Sequence, residues 1–162
     1  MSFKAGKTAA EIGTEIQDAF AQSTSQGWNM MGHHLSESGV EGYHIPEIEV
    51  DGLMNIDREA LAKEGKAFEQ VDIKVTVDRV RPISDDTVIL ETRWTGTVAS
   101  GDFDLPMAFI FTVMGGKIVR AIETYSHFAT PVGQEIWEKI ATAGYHGGSA
   151  VNAETGALSA GA

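Results

Sequence analysis

The period of the hydrophobic residues changes along the chain from one typical of helices to one typical of strands. Over the first 70 residues, apolar side chains recur every three or four positions. This spacing predicts helices at residues 8–21, 28–36 and 57–70, the first two forming a hairpin. The sequence Thr8-Ala9-Ala10-Glu11 fits a capping box at the start of the first helix.

From residue 71 onward the period shortens to two. Val71, Ile73, Val75 and Val77 alternate with polar residues, which is typical of a half-buried strand. Further strands are predicted at residues 88–98, 103–114 and 117–128. Gly115-Gly116 predicts a two-residue hairpin, because a type I′ turn needs a positive φ at both positions. Strands joined by such short turns pair as an antiparallel meander, and the preceding helices would cover one of its faces.

The end of the chain predicts a last helix and a tail. Pro131 suits the first turn of a helix at residues 132–143, and Gly144 suits its end. Residues 144–162 are rich in Gly, Ala and Ser and carry little apolar mass. We therefore expect one α+β domain over residues 1–143, followed by a flexible tail.

Composition excludes several functional classes. The chain has 162 residues, no cysteine and a formal net charge of −11. Without cysteine, a disulfide scaffold, a thiolate nucleophile and a sulfur-ligated metal site are excluded. The acidic balance argues against nucleic acid and anionic membranes as partners. Because no apolar run approaches the roughly 20 residues of a membrane span and no signal peptide is visible, a cytoplasmic protein is expected.

The order of elements and two motifs resemble the nuclear transport factor 2-like superfamily, and within it the SnoaL-like and ketosteroid-isomerase-like enzymes. The motifs are Val-Glu-Gly-Tyr-His-Ile-Pro (residues 40–46) and Gly-Gly-Lys-Ile-Val-Arg-Ala-Ile-Glu (residues 115–123). The resemblance spans residues 8–128. It implies a cone-shaped curved antiparallel sheet covered by N-terminal helices, a cystatin-like α+β barrel, around an apolar pocket. It also implies cofactor-independent chemistry and homodimers or higher homo-oligomers assembled through the outer face of the sheet.

Glu123 is the first candidate for chemistry. By strand parity it shares a face with Ala121 and Tyr125. In SnoaL-like cyclases and limonene epoxide hydrolase a carboxylate on this strand faces the cavity, so the resemblance places Glu123 inward. Desolvation in an apolar cavity raises the pKa of a carboxyl group toward the range useful for general acid–base catalysis. A structural ion pair with a nearby arginine is the alternative.

Arg93, Tyr43 and His34 are further candidate catalytic residues. Arg93 is expected either to polarise a substrate oxygen and hold Glu123 ionised, or to form a structural salt bridge. Epoxide hydrolases of the family carry an Asp where this chain has Thr95, which argues against their catalytic triad. Tyr43 falls near the position of the ketosteroid isomerase base, and either Tyr43 or His44 is expected to act in place of that base. His34 lies beside an apolar stripe and titrates near neutrality, so it is either a base or a plainly packed side chain.

The remaining candidates form the wall of the expected pocket and favour a hydrophobic, aromatic or cyclic small molecule as ligand. No metal site is predicted, because the adjacent His33 and His34 diverge by about 100° on a helix. The expected substrate-binding residues are Trp28, Met31, His44, Phe109, Tyr125 and His127.

Two functions are compatible with these residues. The first is a lyase, isomerase or cyclase without a cofactor, in which Glu123 or a histidine moves a proton at a carbon next to a carbonyl, hydroxyl or aromatic ring. Arg93 and Tyr43 would stabilise the oxygen on which charge develops. The second is a non-catalytic ligand-binding or dimerisation module of the same fold, because fold alone does not determine function.

Overall fold

As far as residue 142, helices and strands follow one another in the order that the sequence predicts. The computed structural model describes residues 6–45, 56–124, 130–144, 149–151 and 158–160; for residues 43–45 and the last two segments it describes the backbone. Within these residues the helices are α1 (Ala9–Gln22), α2 (Thr24–His34), α3 (Arg58–Gln70) and α4 (Pro131–Thr142). The strands are β1 (Glu41–Ile45), β2 (Lys74–Pro82), β3 (Thr87–Val98), β4 (Gly101–Met114), β5 (Lys117–Thr124), β6 (Ser149–Val151) and β7 (Leu158–Ala160).

Side-chain caps determine where the first helices begin. The Thr8 hydroxyl accepts a hydrogen bond from the Glu11 amide at 3.2 Å, and the Thr8 amide donates to the Glu11 carboxylate at 2.9 Å, which confirms the capping box. The predicted start of the second helix at Trp28 was wrong. Ser23 alone separates α1 from α2, because its side chain accepts a hydrogen bond from the Gln26 amide and starts α2 at Thr24.

The first strand of the meander begins later than its alternating pattern predicts. Val71 ends α3, and Asp72 adopts a left-handed conformation with φ of 56°. The Ile73 amide then donates to the Phe68 carbonyl at 2.9 Å, which closes the helix end. β2 therefore starts at Lys74, and a β-bulge follows Val77. A bulge bends and twists a strand, so this irregularity contributes to the curvature of the sheet.

The main sheet has five strands in the order β1-β5-β4-β3-β2. β2 to β5 form the predicted antiparallel meander, and Gly115 and Gly116 have φ of 59° and 77°, as the two-residue hairpin requires. β1 pairs with β5 in parallel. The sheet is therefore mixed rather than wholly antiparallel, because the segment predicted only as extended adds a parallel edge strand.

Helices α1 and α2 pack on the concave face of the sheet, and α3 packs on α2 and reaches the sheet where Phe68 contacts Trp94. Close approach depends on glycines: a Cβ on Gly27 would lie 2.0 Å from Cδ1 of Phe20, and one on Gly13 would lie 3.0 Å from Cγ1 of Val80. The Gln17 side chain donates to the Val77 carbonyl at 3.1 Å. In the described residues, four helices and a curved, unclosed sheet thus form the predicted cone-shaped α+β fold.

The C-terminal part begins with the predicted helix. The Thr130 side chain caps α4 by accepting a hydrogen bond from the Gly133 amide at 3.3 Å, and Ile136 and Ile140 join the core. Within the segment predicted as a tail, β6 and β7 pair as a small antiparallel sheet. The domain boundary at residue 143 and the flexibility of the tail remain predictions. None of the helices in the described ranges is both long enough and apolar enough to cross a membrane.

Candidate active site

Glu123 lies on the concave face of the sheet. Its side chain is only 5% exposed, and its Cα partner on β4 is Phe109, which is 1% exposed. Directly paired residues of antiparallel strands project to the same face, so the carboxyl group faces the interior as parity predicts. The next residue, Thr124, faces the other way and fastens β5 to β4, since its hydroxyl accepts a hydrogen bond from the Ala108 amide at 2.9 Å.

β1 brings the other motif of the resemblance beside Glu123. His44 is the register partner of Glu123, and Tyr43 is the partner of Ile122. The roles expected for the Tyr43 and His44 side chains lie outside what the structure describes. Tyr125 and His127, expected as pocket residues, also lie outside the described residues.

An aromatic layer fills the space between α2 and the sheet. The ring of Trp28 makes edge-to-face contacts with Phe20, Phe68, Trp94 and Phe109, at centroid distances of 5.8, 5.6, 6.4 and 5.7 Å. Such contacts add stability beyond the area they bury. Trp28 and Phe109 thus lie in the apolar interior, where they were expected as pocket wall.

Met31 lies in the same interior region, where it was expected as pocket wall. A buried threonine of this region, Thr92, was not predicted from the sequence. Met31, one turn after Trp28 on α2, is 2% exposed. Thr92 on β3 is 3% exposed, and its hydroxyl has no hydrogen-bond partner in the described part of the chain. Strand parity could have identified Thr92 as an inward residue, because it alternates in phase with the inward residues Leu90 and Trp94.

His34 is buried, yet its partner is a carboxylate from α1. Its Nε2 lies 2.8 Å from Oε2 of Glu15, whose other oxygen accepts a hydrogen bond from Lys7. Desolvation lowers the pKa of His34, and the Glu15 charge opposes that shift only in part. The hydrogen bond from Lys7 is the main reason why the pKa of Glu15 is below its usual value.

His34, at the end of α2, lies near the start of β5, whereas Glu123 lies near the end of that strand. Leu35, directly after His34, forms a β-bridge with Ile118, and the Ser36 amide donates to the Ile118 carbonyl at 2.9 Å. Glu123 is five residues further along the strand, a span of about 16 Å at about 3.3 Å per residue. The structure therefore does not bring His34 beside Glu123.

Arg93 lies on the outer face of the sheet, so its expected pairing with Glu123 is wrong. It is exposed, and it forms ion pairs with Asp78 at 3.1 Å and Asp104 at 2.8 Å. These carboxylates raise the pKa of Arg93 further above its usual value. The reason is strand parity, since Thr92 and Trp94 on either side of it point inward. The salt-bridge alternative describes its position correctly, with Asp78 and Asp104 as the partners.

A groove of about 430 Å³ lies elsewhere, between α4 and residues 97–99 at the end of β3. Lys139 lines it and donates a hydrogen bond to the Thr97 carbonyl at 2.6 Å. None of the predicted site residues lines this groove. Among the described side chains, no three His, Asp or Glu residues cluster closely enough to hold a metal ion.

Several solved structures share this fold. A ketosteroid isomerase-like protein from Catenulispora acidiphila, in complex with trimethylamine, is 18% identical, with a TM-score of 0.52 covering 81% of this chain and 92% of that one. A protein from Jannaschia sp. described as a SnoaL-like polyketide cyclase is 18% identical, with a TM-score of 0.54 and coverages of 84% and 97%. An NTF2-like protein from Anabaena variabilis is 23% identical, with a TM-score of 0.52 and coverages of 76% and 92%.

These similarities show a common fold. They confirm, at the level of the fold, the resemblance to NTF2-like, SnoaL-like and ketosteroid-isomerase-like proteins that the sequence motifs indicate. No family model matches the chain, and no curated protein matches it.

Proposed function

We propose that this protein is a cofactor-independent acid–base enzyme of the lyase, isomerase or cyclase type, acting on a hydrophobic aromatic or cyclic small molecule. Glu123 is the group that moves the proton. The observation that carries the proposal is a carboxyl side chain only 5% exposed, on the concave face of the sheet beside Phe109.

The chemistry follows from the surroundings of this carboxyl group. A carboxylate with little access to water is poorly solvated, which makes it a stronger base than it would be in water. It takes a proton from a carbon next to a carbonyl; the electron pair of the C–H bond forms a C=C bond while the π pair of the carbonyl moves onto its oxygen, and the proton returns at the same or another atom. On β1, His44 is the register partner of Glu123, whereas Tyr43 pairs with Ile122 of the outer face, so His44 is the candidate for stabilising that oxygen.

The similar structures agree with this chemistry. One is described as a SnoaL-like polyketide cyclase, and another has a ketosteroid isomerase-like fold. The apolar surroundings of Trp28 and Phe109 suit a hydrophobic aromatic or cyclic ligand.

A dimerisation or ligand-binding module is the second candidate. It is favoured by a row of half-buried isoleucines on the outer face of the sheet, where Ile89 pairs with Ile110 and Ile110 pairs with Ile122. An apolar row across three strands suits a contact with a second copy of the chain. The separation of Arg93 and His34 from Glu123 also leaves the carboxyl group with fewer of the catalytic partners that the sequence predicts.

Hydrogen exchange at a ketone distinguishes the two functions. We expect the wild-type protein to catalyse exchange of the methyl hydrogens of acetophenone for deuterium in D₂O, followed by NMR. Glu123→Gln keeps the size of the side chain but removes the base, so the rate should fall by at least about 100-fold while the circular dichroism spectrum stays unchanged. Glu91→Gln, on the outer face of the same sheet, is the control and should exchange at the wild-type rate. Equal rates in wild type and Glu123→Gln would contradict the catalytic proposal and favour the dimerisation or ligand-binding module.

A further inference from the structure

Two polar atoms beneath α2 lack a hydrogen-bond partner in the part of the chain that the structure describes. They are Nε1 of Trp28 and Oγ1 of Thr92, in side chains that are 0% and 3% exposed. A buried donor without a partner costs free energy in the folded protein. Valine matches the shape of threonine without its hydroxyl, and phenylalanine supplies an apolar ring without an N–H, so apolar packing by itself does not require these two polar atoms.

Both atoms belong to one layer of the interior. Thr92 pairs with Met107; the next inward residue on β3 is Trp94, and the next inward residue on β4 is Phe109. Because the two strands are antiparallel, Trp94 and Phe109 lie on opposite sides of the Thr92–Met107 pair. The ring of Trp28 contacts both of them, which places it over the stretch of the sheet that contains that pair.

This layer adjoins the proposed catalytic carboxyl group. Phe109, which contacts Trp28, is also the register partner of Glu123. A ligand positioned beside Glu123 is therefore next to the layer that contains the indole nitrogen and the hydroxyl.

We propose that Nε1 of Trp28 and Oγ1 of Thr92 form an oxygen-binding subsite, which holds one acceptor oxygen of an otherwise apolar ligand. The proposal deepens the proposed function, on which it rests for the identity of the pocket. An indole N–H can only donate, whereas a hydroxyl can donate and accept. The subsite therefore suits a carbonyl, ether or hydroxyl oxygen and excludes an ammonium group, which offers only donors.

The test compares two probes of similar shape, acetophenone and ethylbenzene, of which only the first carries an oxygen. Their equilibrium affinities are measured by ligand-observed NMR on the full chain. We expect the wild-type protein to prefer acetophenone. Trp28→Phe and Thr92→Val should each lower that preference by about tenfold, the contribution of one hydrogen bond, while ethylbenzene binds as before. In the wild type, acetophenone should also shift the indole ¹⁵N–¹H resonance that Trp28→Phe removes.

Thr24→Val is the matched control, because Thr24 is also buried but already accepts a hydrogen bond from the Val75 amide at 3.1 Å. This variant should keep the preference for the ketone. An unchanged preference in Trp28→Phe and Thr92→Val would overturn the subsite. This is the result expected if an ordered water, rather than the ligand, is the hydrogen-bond partner of both atoms. Failure of acetophenone to bind the wild type would overturn it as well.

Glu123→Gln separates this proposal from the proposed function. If Trp28→Phe and Thr92→Val lose the ketone preference while Glu123→Gln exchanges hydrogen at the wild-type rate, the subsite stands and the catalytic role is wrong. If Glu123→Gln abolishes exchange while the other two variants keep the preference, the catalytic role stands and the subsite is wrong.

Discussion

Polar side chains have different surroundings on the two faces of the main sheet. On the outer face they are exposed and paired with one another, as Arg93 is with Asp78 and Asp104. On the concave face Thr92 is buried with no hydrogen-bond partner among the described residues, and Glu123 is buried opposite Phe109. Exposed ion pairs contribute little to stability and keep their water, whereas a buried polar group without a partner costs about 1–3 kcal/mol. The concave face is therefore where polar residues call for a functional explanation.

The largest expected difference between the faces concerns neighbouring residues of β4. Phe109 is 1% exposed on the concave face, whereas Ile110 is half-buried on the outer face. Phe109→Ala should lower the free energy of unfolding by about 3–5 kcal/mol, because it leaves a cavity in the aromatic layer. Ile110→Ala should cost less than half as much in urea unfolding. An equal loss at Ile110 that varies with protein concentration would instead show that a second copy covers the outer face.

Two buried threonines give the next largest difference. Thr24→Val leaves the Val75 amide without its acceptor and should cost about 1–3 kcal/mol in the free energy of unfolding. Thr92→Val removes a hydroxyl that has no partner in the described residues, so stability should stay the same or increase. Urea unfolding of both variants measures the difference. Equal losses would mean that the Thr92 hydroxyl is satisfied within the protein.

A smaller effect on stability is expected from His34, a buried histidine whose Nε2 lies 2.8 Å from the Glu15 carboxylate. The pKa of His34 is lowered mainly by desolvation, so the unfolded chain takes up a proton at this residue before the folded protein does. Stability should therefore decrease as the pH falls below about 6.5, the usual pKa of histidine. His34→Gln should flatten this dependence between about pH 7 and pH 5 in thermal unfolding, whereas the exposed His33→Gln should not. The same slope in wild type and His34→Gln would contradict the assignment.

The smallest effect is expected on the outer face. Arg93→Gln removes two exposed ion pairs, so the unfolding midpoint should change little. The rate of acetophenone exchange should equal that of the wild type, because Arg93 does not reach the concave face. A loss comparable to that of Glu123→Gln would show that Arg93 takes part in the chemistry after all.

Local sequence rules predicted the positions that depend on neighbouring residues. The capping box at Thr8, the hairpin at Gly115-Gly116 and the inward parity of Glu123 each follow from a few consecutive residues. The sequence did not predict contacts between residues that are distant in the chain. The partner of His34 is Glu15 on α1 and the partners of Arg93 are on β2 and β4, and none of these contacts follows from the residues adjacent to either one.

By itself the sequence determined the order of the helices and meander strands and the alternation of faces along each strand, because these depend on periodicity and turn chemistry over a few positions. Only the tertiary structure decided that β1 joins the sheet in parallel beside Glu123, and that Trp28 contacts both Trp94 and Phe109. Strand register and helix packing bring together residues far apart in the chain. Whether a buried polar atom finds a partner is therefore known only once these elements are packed.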